Sequence, residues 1–278
     1  MKKETLNGKI AVVLGACGGI GTEVAKLLDE NGIVLNLADL NREELNKFEK
    51  ILETTPKLYK CDVTKKEDIT RLYEQVLNEY GRINLLVNTV GIIKPALFEN
   101  TTYQEIQDQI SVNLMGAITC QKEIIPIMKK QGEGFIITLS SLAGIVPETY
   151  SSIYTATKFA LRGLNFTLNL ELKKYNIQVS TIFPDSVDTK MLEYEARCDE
   201  GSPLTFLDDP VAPKDVAQAV LKSILKKKVE IIVPRSQGIL SKFIMCFPKA
   251  VQKLWPKFEE KGWEKKQKFL EKLEEKNK

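Results

Sequence analysis

The chain has 278 residues, 43% of them apolar, and a formal net charge of +3, enough for one large α/β domain or two small ones around a substantial core. It contains no histidine, which excludes Ser-His-Asp triads, Cys-His dyads and histidine-based zinc sites and leaves acid–base work to Tyr, Lys, Asp or Glu. Cys17, Cys61, Cys120, Cys198 and Cys246 are odd in number, scattered and never spaced as CxxC, the usage of reduced thiols in a cytosolic compartment. No metal site is expected. Met1-Lys-Lys is followed by Glu4, Thr5, Asn7 and Lys9 where an export signal would be apolar, and no run of about eighteen apolar residues predicts a membrane span. The positive charge is local: residues 241 to 278 hold eleven Lys against six Glu, and residues 1 to 240 hold 29 basic and 31 acidic groups.

In chain order, short apolar runs alternate with longer segments of helical period, the pattern of βαβ units and a parallel sheet. Strands are predicted near 9–14, 33–38, 57–60, 84–90, 134–139, 177–183 and 229–233. Helices are predicted near 19–31, 42–53, 65–79, 102–130, 152–174 and 213–227, with Gly32 and Gly81 as C-caps and Thr64 and Thr101 as N-caps. The fold class is α/β: one doubly wound domain over 1–238, its seven-stranded, mostly parallel sheet carrying helices on both faces. Residues 185–212 form a long insertion and a candidate substrate lid. Residues 239–278 form a basic amphipathic helical tail, in which Phe243, Phe247, Val251, Leu254, Trp255 and Phe258 recur at three- or four-residue spacing, and Pro248 and Pro256 kink or divide the helix.

The apolar run Ile10-Ala-Val-Val-Leu14 leads into Gly15-Ala-Cys-Gly-Gly-Ile-Gly21. Glycines at 15, 19 and 21, before a helix starting near Ile20, let backbone N–H groups approach a pyrophosphate at a helix N-terminus. The same glycines also suit tight strand-to-helix packing. Asp39 ends the second strand, eighteen residues after Gly21, where a carboxylate accepts hydrogen bonds from ribose hydroxyls and repels the extra phosphate of NADP. NAD is therefore favoured, and Arg42 keeps NADP open; a capping role for Asp39 is the alternative. Tyr154 and Lys158 lie four residues apart, about one helical turn, on one face. A cation beside a phenol favours the phenolate and moves it toward proton exchange with an alcohol.

With Asp39, Cys61-Asp62-Val63, Asn88-Thr-Val-Gly91, Asn113 in Ser-Val-Asn-Leu-Met-Gly, Ser140-Ser-Leu-Ala-Gly144, Tyr154-Thr-Ala-Thr-Lys158 and Pro184-Asp-Ser-Val-Asp-Thr189 in order, the chain resembles the classical short-chain dehydrogenase/reductase family over about residues 5 to 235. The resemblance implies a Rossmann fold and NAD(P)-dependent interconversion of an alcohol and a ketone or aldehyde. It implies Tyr154 as general acid/base, Lys158 as the group that lowers the tyrosine pKa and binds the nicotinamide ribose, and Ser141 as the hydrogen-bond donor to the substrate oxygen, with Ser140 the neighbouring choice. Asn113 would anchor a water leading from Lys158 to solvent. The turn residues Gly15, Cys17, Gly18, Gly19, Ile20 and Gly21 would hold the pyrophosphate, Asp62 and Val63 would lie at the adenine, and Asn88 and Gly91 beside the ribose. Pro184, Val187 and Thr189 would meet the nicotinamide. Three positions depart from the family pattern. Leu14 replaces a threonine that ties the turn down, Thr89-Val90 replaces Asn-Ala and is expected to loosen or reshape the fourth strand's end, and Asp185 replaces a glycine.

Ile92, Ile93, Leu97, Phe98, Ile145, Val146, Met191, Leu192, Tyr194, Leu204 and Phe206 are expected around the pocket, which predicts a lipophilic alcohol or ketone as substrate. The tail's Trp255, Trp263, phenylalanines and lysines suit either packing against the catalytic domain or a second subunit, or peripheral contact with a membrane surface. No nucleic-acid motif accompanies its charge. The family resemblance implies a homodimer or homotetramer built through the helices near 102–130 and 152–174. The expected location is cytoplasmic, or peripheral at a membrane. The rival reading is a catalytically weak nucleotide-binding or membrane-associated scaffold of the same fold.

Overall fold

The structure is a computed structural model that describes residues 6–276. Met1–Thr5, on which the reading of the amino terminus partly rests, lie outside the described residues. β1 (Ile10–Leu14) is buried at every position, and its alternate side chains enter different cores. Ala11 and Val13 pack on one face of the sheet, Ile10, Val12 and Leu14 on the other. A strand covered on both faces reads as an unbroken apolar run, which is why this one was legible.

The sheet continues through β2 (Val34–Asp39), β3 (Lys57–Lys60), β4 (Leu85–Asn88), β5 (Gly134–Leu139), β6 (Ile177–Pro184) and β7 (Glu230–Val233). Its order is β3-β2-β1-β4-β5-β6-β7 and every pairing is parallel, so "mostly parallel" becomes wholly parallel. The chain direction of the crossovers reverses between β1 and β4. In open α/β sheets the crevice at the carboxyl ends of the strands beside such a reversal is where ligands bind.

Helices α1 (Gly19–Asp29) and α9 (Pro213–Lys226) cover one face; α4 (Lys66–Tyr80), α6 (Gly116–Gln131) and α7 (Ser152–Leu172) cover the other. The helix expected at 42–53 is two short ones, α2 (Arg42–Asn46) and α3 (Phe48–Ile51), meeting at Lys47. Gly32 and Gly81 take the left-handed backbone expected of them. The cap at 101 shifts by one: Thr102 Oγ1 accepts from Glu105 N–H and the Glu105 carboxylate accepts from Thr102 N–H, a capping box that Thr101 does not make. Lys65, not Thr64, immediately precedes α4.

The helix expected at 102–130 is interrupted. α5 (Tyr103–Gln109) passes into a π-helical turn over Ile110–Met115 before α6 begins. Widened turns of this kind re-aim side chains at functional positions, and this one carries Asn113, buried at 1% exposure.

Residues 185–212 hold α8 (Lys190–Arg197) and a 3₁₀ turn at Pro203–Phe206, and Val187 and Val211 form a single parallel bridge across the base of the segment. The tail forms α10 (Arg235–Ile244) and α11 (Pro248–Lys276). Pro248 opens α11 and so divides the tail, whereas Pro256 lies inside α11. α11 packs on the lid segment and on the loop before α7. The Phe269 and Phe206 rings are 5.4 Å apart, Trp263 meets Tyr150 edge-on at 5.5 Å, and Trp255 Nε1 donates to Pro147 O at 3.2 Å. The apolar stripe of the tail is thus partly consumed by its own chain. No helix among the described residues is long and apolar enough to cross a membrane.

Candidate active site

The glycine turn joins β1 to α1 at the sheet's reversal. Gly15 has φ of +76°, and a Cβ on Gly21 would fall on the Gly15 carbonyl oxygen and the Ala16 backbone, so neither position accepts a side chain without opening the turn. Thr22 N–H is the first in α1 to reach a carbonyl, that of Gly18 at 2.9 Å, which leaves the N–H groups of Gly19, Ile20 and Gly21 free of intrahelical partners. Asp39 reaches the turn directly: its Oδ2 accepts from Cys17 N–H at 3.0 Å and its Oδ1 from Asn41 N–H at 3.2 Å. A dinucleotide fits these residues: free amides at a helix N-terminus for a pyrophosphate, and a carboxylate at the neighbouring strand end for a ribose.

Two of the departures from the family pattern cancel. The Thr89 hydroxyl lies 2.8 Å from Leu14 O and 3.0 Å from Gly15 O, so the tie that Leu14 cannot make is supplied from the end of β4. Of the two outcomes expected at the end of β4, loosening or reshaping, the first is corrected: Thr89 fastens it to the turn. Asn88 Oδ1 accepts from Val90 N–H at 3.0 Å. Asp62 closes its own loop by accepting from Thr64 N–H at 3.0 Å and from the Thr64 hydroxyl at 2.6 Å, and Val63 is buried against Gly116.

At the ends of β5 and β6, a cavity of about 110 Å³ is lined by Ser140, Ser141, Tyr154, Lys158, Pro184, Val187 and Thr189, together with Ile20 and Gly91. It shares Gly91, Ile93 and Met191 with a wider cleft of about 660 Å³. Thr189 also closes on the glycine turn, its methyl lying where a Cβ on Gly19 would be 2.8 Å away. Ser141 Oγ accepts from Ala143 N–H at 3.1 Å, which orients the hydroxyl, while Ser140 Oγ is spent on Lys158 O at 3.1 Å. This distinguishes the two serines: Ser140 fastens α7 to β5 and Ser141 keeps its proton for the cavity.

Lys158 is 3% exposed, donates from Nζ to Leu139 O at 3.3 Å and sits 5.2 Å from the Tyr154 ring centroid. Burial lowers its pKa to about 8. The Tyr154 phenol is pushed up instead of down, first by burial and then by the Glu148 carboxyl, with the Ser141 hydroxyl acting in the opposite sense. Lys158, the group to which the resemblance gives the lowering of the phenol, is here itself desolvated and turned to the Leu139 carbonyl. Asn113 uses both ends of its amide on Ile92, Oδ1 accepting from its N–H at 2.8 Å and Nδ2 donating to its O at 2.9 Å. It thereby clamps the loop after β4, and Gly91 sits under Lys158 Nζ, where a Cβ would be 3.3 Å from the nitrogen.

Sequence reasoning missed two acids. Glu148, Asp185 and Glu195 all line the same cavity as Tyr154 and Ser141. Burial raises Asp185 to about 6 and Glu195 to about 7, and burial with those two neighbours holds Glu148 well above the carboxylate range. Asp185 was noticed through its departure from glycine, and its backbone is not in the left-handed region. Glu148 and Glu195 carried no local signal, since nothing near them in the chain marks the first as half-buried and the second as buried in this cavity. Of the expected apolar lining, Ile93, Met191 and Leu192 meet the cavity and Ile92 and Tyr194 the adjoining cleft. Ile145 and Val146 instead pack on Phe183, Phe206 packs on the tail, and Leu97 and Phe98 are exposed.

A wholly parallel doubly wound sheet with a glycine turn at its reversal, and a Tyr-Lys helix facing it, defines a dinucleotide-binding α/β protein. The chain belongs to the short chain dehydrogenase family, whose sequence pattern matches residues 9–199. It is 31% identical to an uncharacterized oxidoreductase of Staphylococcus saprophyticus over 240 residues, 83% of this chain and 98% of that one. Among solved structures, it is similar to a short chain dehydrogenase/reductase from Burkholderia phymatum in complex with NAD. The TM-score is 0.79 at 22% identity, over 87% of this chain and 94% of that one. It is also similar to ElxO with NADP bound, with a TM-score of 0.70 at 24% identity over 77% of this chain and 90% of that one.

Proposed function

We propose that the protein is an NAD-dependent oxidoreductase that interconverts an alcohol and a ketone or aldehyde. The observation that carries the reading is that Tyr154, Ser141 and Lys158 meet in one cavity beside the glycine turn and Asp39. The turn from Gly15 to Gly21, with Asp39, Asp62, Val63, Asn88, Gly91, Lys158, Pro184, Val187 and Thr189, would hold the cofactor, which supplies the hydride donor or acceptor. Asp39 favours NAD; Arg42, one N–H of which donates to Leu58 O at 2.5 Å, keeps its charge and leaves NADP as the alternative. Ser141 donates to the substrate oxygen as charge develops on it, and Tyr154 exchanges its proton with that oxygen. Asn113 holds the loop that positions Gly91 beneath Lys158 and keeps a route from the buried ammonium toward solvent. The body of the substrate is apolar where it meets Ile93, Met191 and Leu192.

Tyr154→Phe removes the transferable proton and lowers kcat by about 10² to 10⁴-fold with NADH binding retained; unchanged turnover overturns the reading and favours the scaffold alternative. NADH binding tighter than NADPH, with the preference lost in Asp39→Ala, tests the cofactor assignment.

The same reading takes residues 1–238 as the catalytic unit of a cytoplasmic homodimer or homotetramer. Phe166 and Leu170 on α7, 51% and 64% exposed, support that assembly, and light scattering after gel filtration measures it. Leu240, Phe243 and Phe247 are also exposed, beside Lys242 and Lys249, which supports peripheral contact of the tail with anionic lipid. Flotation with liposomes, with and without residues 241–278, decides that point.

A further inference from the structure

We infer that an anionic phospholipid bilayer is the partner of the face formed by α10 and the groove beside β7, with the outer stripe of α10 entering the interface and headgroup phosphates meeting the groove's cations. This rests on the reading of the tail as a peripheral lipid contact, and assigns that contact to one helix and one groove while leaving α11 out of it.

The two tail helices are placed differently. α11 turns Trp255, Trp263 and Phe269 inward, onto Pro147, Tyr150 and Phe206, and its Lys266 Nζ donates to Cys198 O and Gly201 O of the lid segment. α10 packs on one side only. Gly238 lies against Ile232 of β7, so closely that a Cβ would be 2.4 Å from its Cδ1; Ser241 is buried, and Ile244 and Met245 join the cluster around Phe183. On the other side Leu240, Phe243 and Phe247 are 59%, 65% and 51% exposed. Their spacing of three and four residues places them in one stripe, and the Phe243 and Phe247 rings meet at 5.3 Å. The chain's own packing thus leaves a continuous apolar surface uncovered.

Charge identifies what covers it. Residues 231 to 258 contain Arg235, Lys242, Lys249, Lys253 and Lys257 and no Asp or Glu. Beside the stripe, a groove of about 490 Å³ between α9, β7 and α10 is lined by Lys222, Lys226, Lys228, Arg235 and Lys242, all exposed. Glu230 is the one carboxylate in that lining, and it is already paired with Arg162 at 2.8 Å and with Lys242. The other four cations form no ion pair among the described residues. A second copy of this chain would set them against their own kind, and a neutral protein surface would leave them unpaired. A plane of phosphates with hydrocarbon directly beneath it meets both the cations and the phenylalanines.

The test is flotation of the full-length protein, at physiological salt, with vesicles of phosphatidylglycerol or of phosphatidylcholine. Wild type should float with the anionic vesicles alone. Lys222→Glu/Lys226→Glu/Lys228→Glu and, separately, Phe243→Ser/Phe247→Ser should each weaken partitioning by at least about tenfold. Lys261→Glu/Lys268→Glu/Lys272→Glu removes the same charge from exposed positions on α11 and should stay within about threefold of wild type, because the cations concerned lie off the docking face and are screened. Melting temperatures of the free variants check folding. Partitioning lost in the α11 set but kept in the other two overturns the inference and leaves the tail a lipid contact. Wild type that floats with neither lipid overturns both, without touching the oxidoreductase reading. Two further results overturn the inference by naming another occupant: a melting temperature raised by inorganic phosphate without flotation, which assigns a soluble anion, and a dimer that Phe243→Ser/Phe247→Ser dissociates, which assigns a second copy.

Discussion

Replacing Glu195 by Gln tests whether the cavity is as dry and as acidic as its lining implies. Glu195 is 4% exposed, and its carboxyl is raised from 4.5 to about 7, chiefly by burial, with the Thr205 hydroxyl, Ser202 N–H and Lys266 pulling the other way. A raised carboxyl pKa means the folded protein keeps a proton that the unfolded chain has already released. The native state binds more protons between 4.5 and 7, so stability falls as pH rises through that window and levels off above it. A shift of this size corresponds to about 3 kcal/mol in full, and to about 2 to 3 kcal/mol between pH 5 and pH 8. The amide of Gln keeps an acceptor for the Thr205 hydroxyl but cannot ionise. The difference in unfolding free energy between Glu195→Gln and wild type, from urea titrations at each pH, should therefore rise in the variant's favour by that amount from pH 5 to 8. Any lost hydrogen bond adds a constant and leaves the slope untouched. A difference that does not change with pH would refute the reasoning and mean that Glu195 ionises as it would in water.

Gly21→Ala drives a methyl onto the Gly15 carbonyl and should weaken NADH binding by at least about tenfold, measured by fluorescence titration, with the far-UV spectrum preserved. Thr89→Val removes the hydroxyl that ties Leu14 and Gly15 to β4 and should cost about 1–3 kcal/mol of stability, read as a shift in urea midpoint. NADH affinity should fall with it, because the turn loses its anchor. A Cβ on Gly262 would fall on Pro203 O. Gly262→Ala should therefore lift α11 from the lid segment, cost about 1–3 kcal/mol, and expose the tail's lysines to trypsin.

The sheet was legible because its strands are short, apolar and covered on both faces, while the helices between them repeat with a different period. Tyr154 and Lys158 were legible for an equally local reason, since four residues of helix put them on one face. Asp39, at the end of β2, could be placed opposite the glycine turn from strand order alone, and its bond to Cys17 N–H follows from that adjacency.

What tertiary structure decided depends on residues far apart in the chain. Asn113 faces Ile92 because a single widened turn rotates it there, and neither neighbouring sequence announces that turn. Thr89 reads as a loosening substitution beside Val90, and becomes a fastening one only when β4 lies against β1. Glu148 is unremarkable between Pro147 and Thr149. It becomes a half-buried acid, without a hydrogen-bond or ion-pair partner among the described residues, when β6 contributes Asp185, α8 contributes Glu195 and the tail places Lys266 beside Glu195 instead of beside it. Secondary structure and spacing are set by neighbours within a few residues, so the sequence alone determined the fold, the order of the family motifs and the Tyr-Lys pair. Desolvation and charge pairing are sums over whatever surrounds a group in space, so only the folded chain decided which carboxylates face Tyr154 and which of them has no partner.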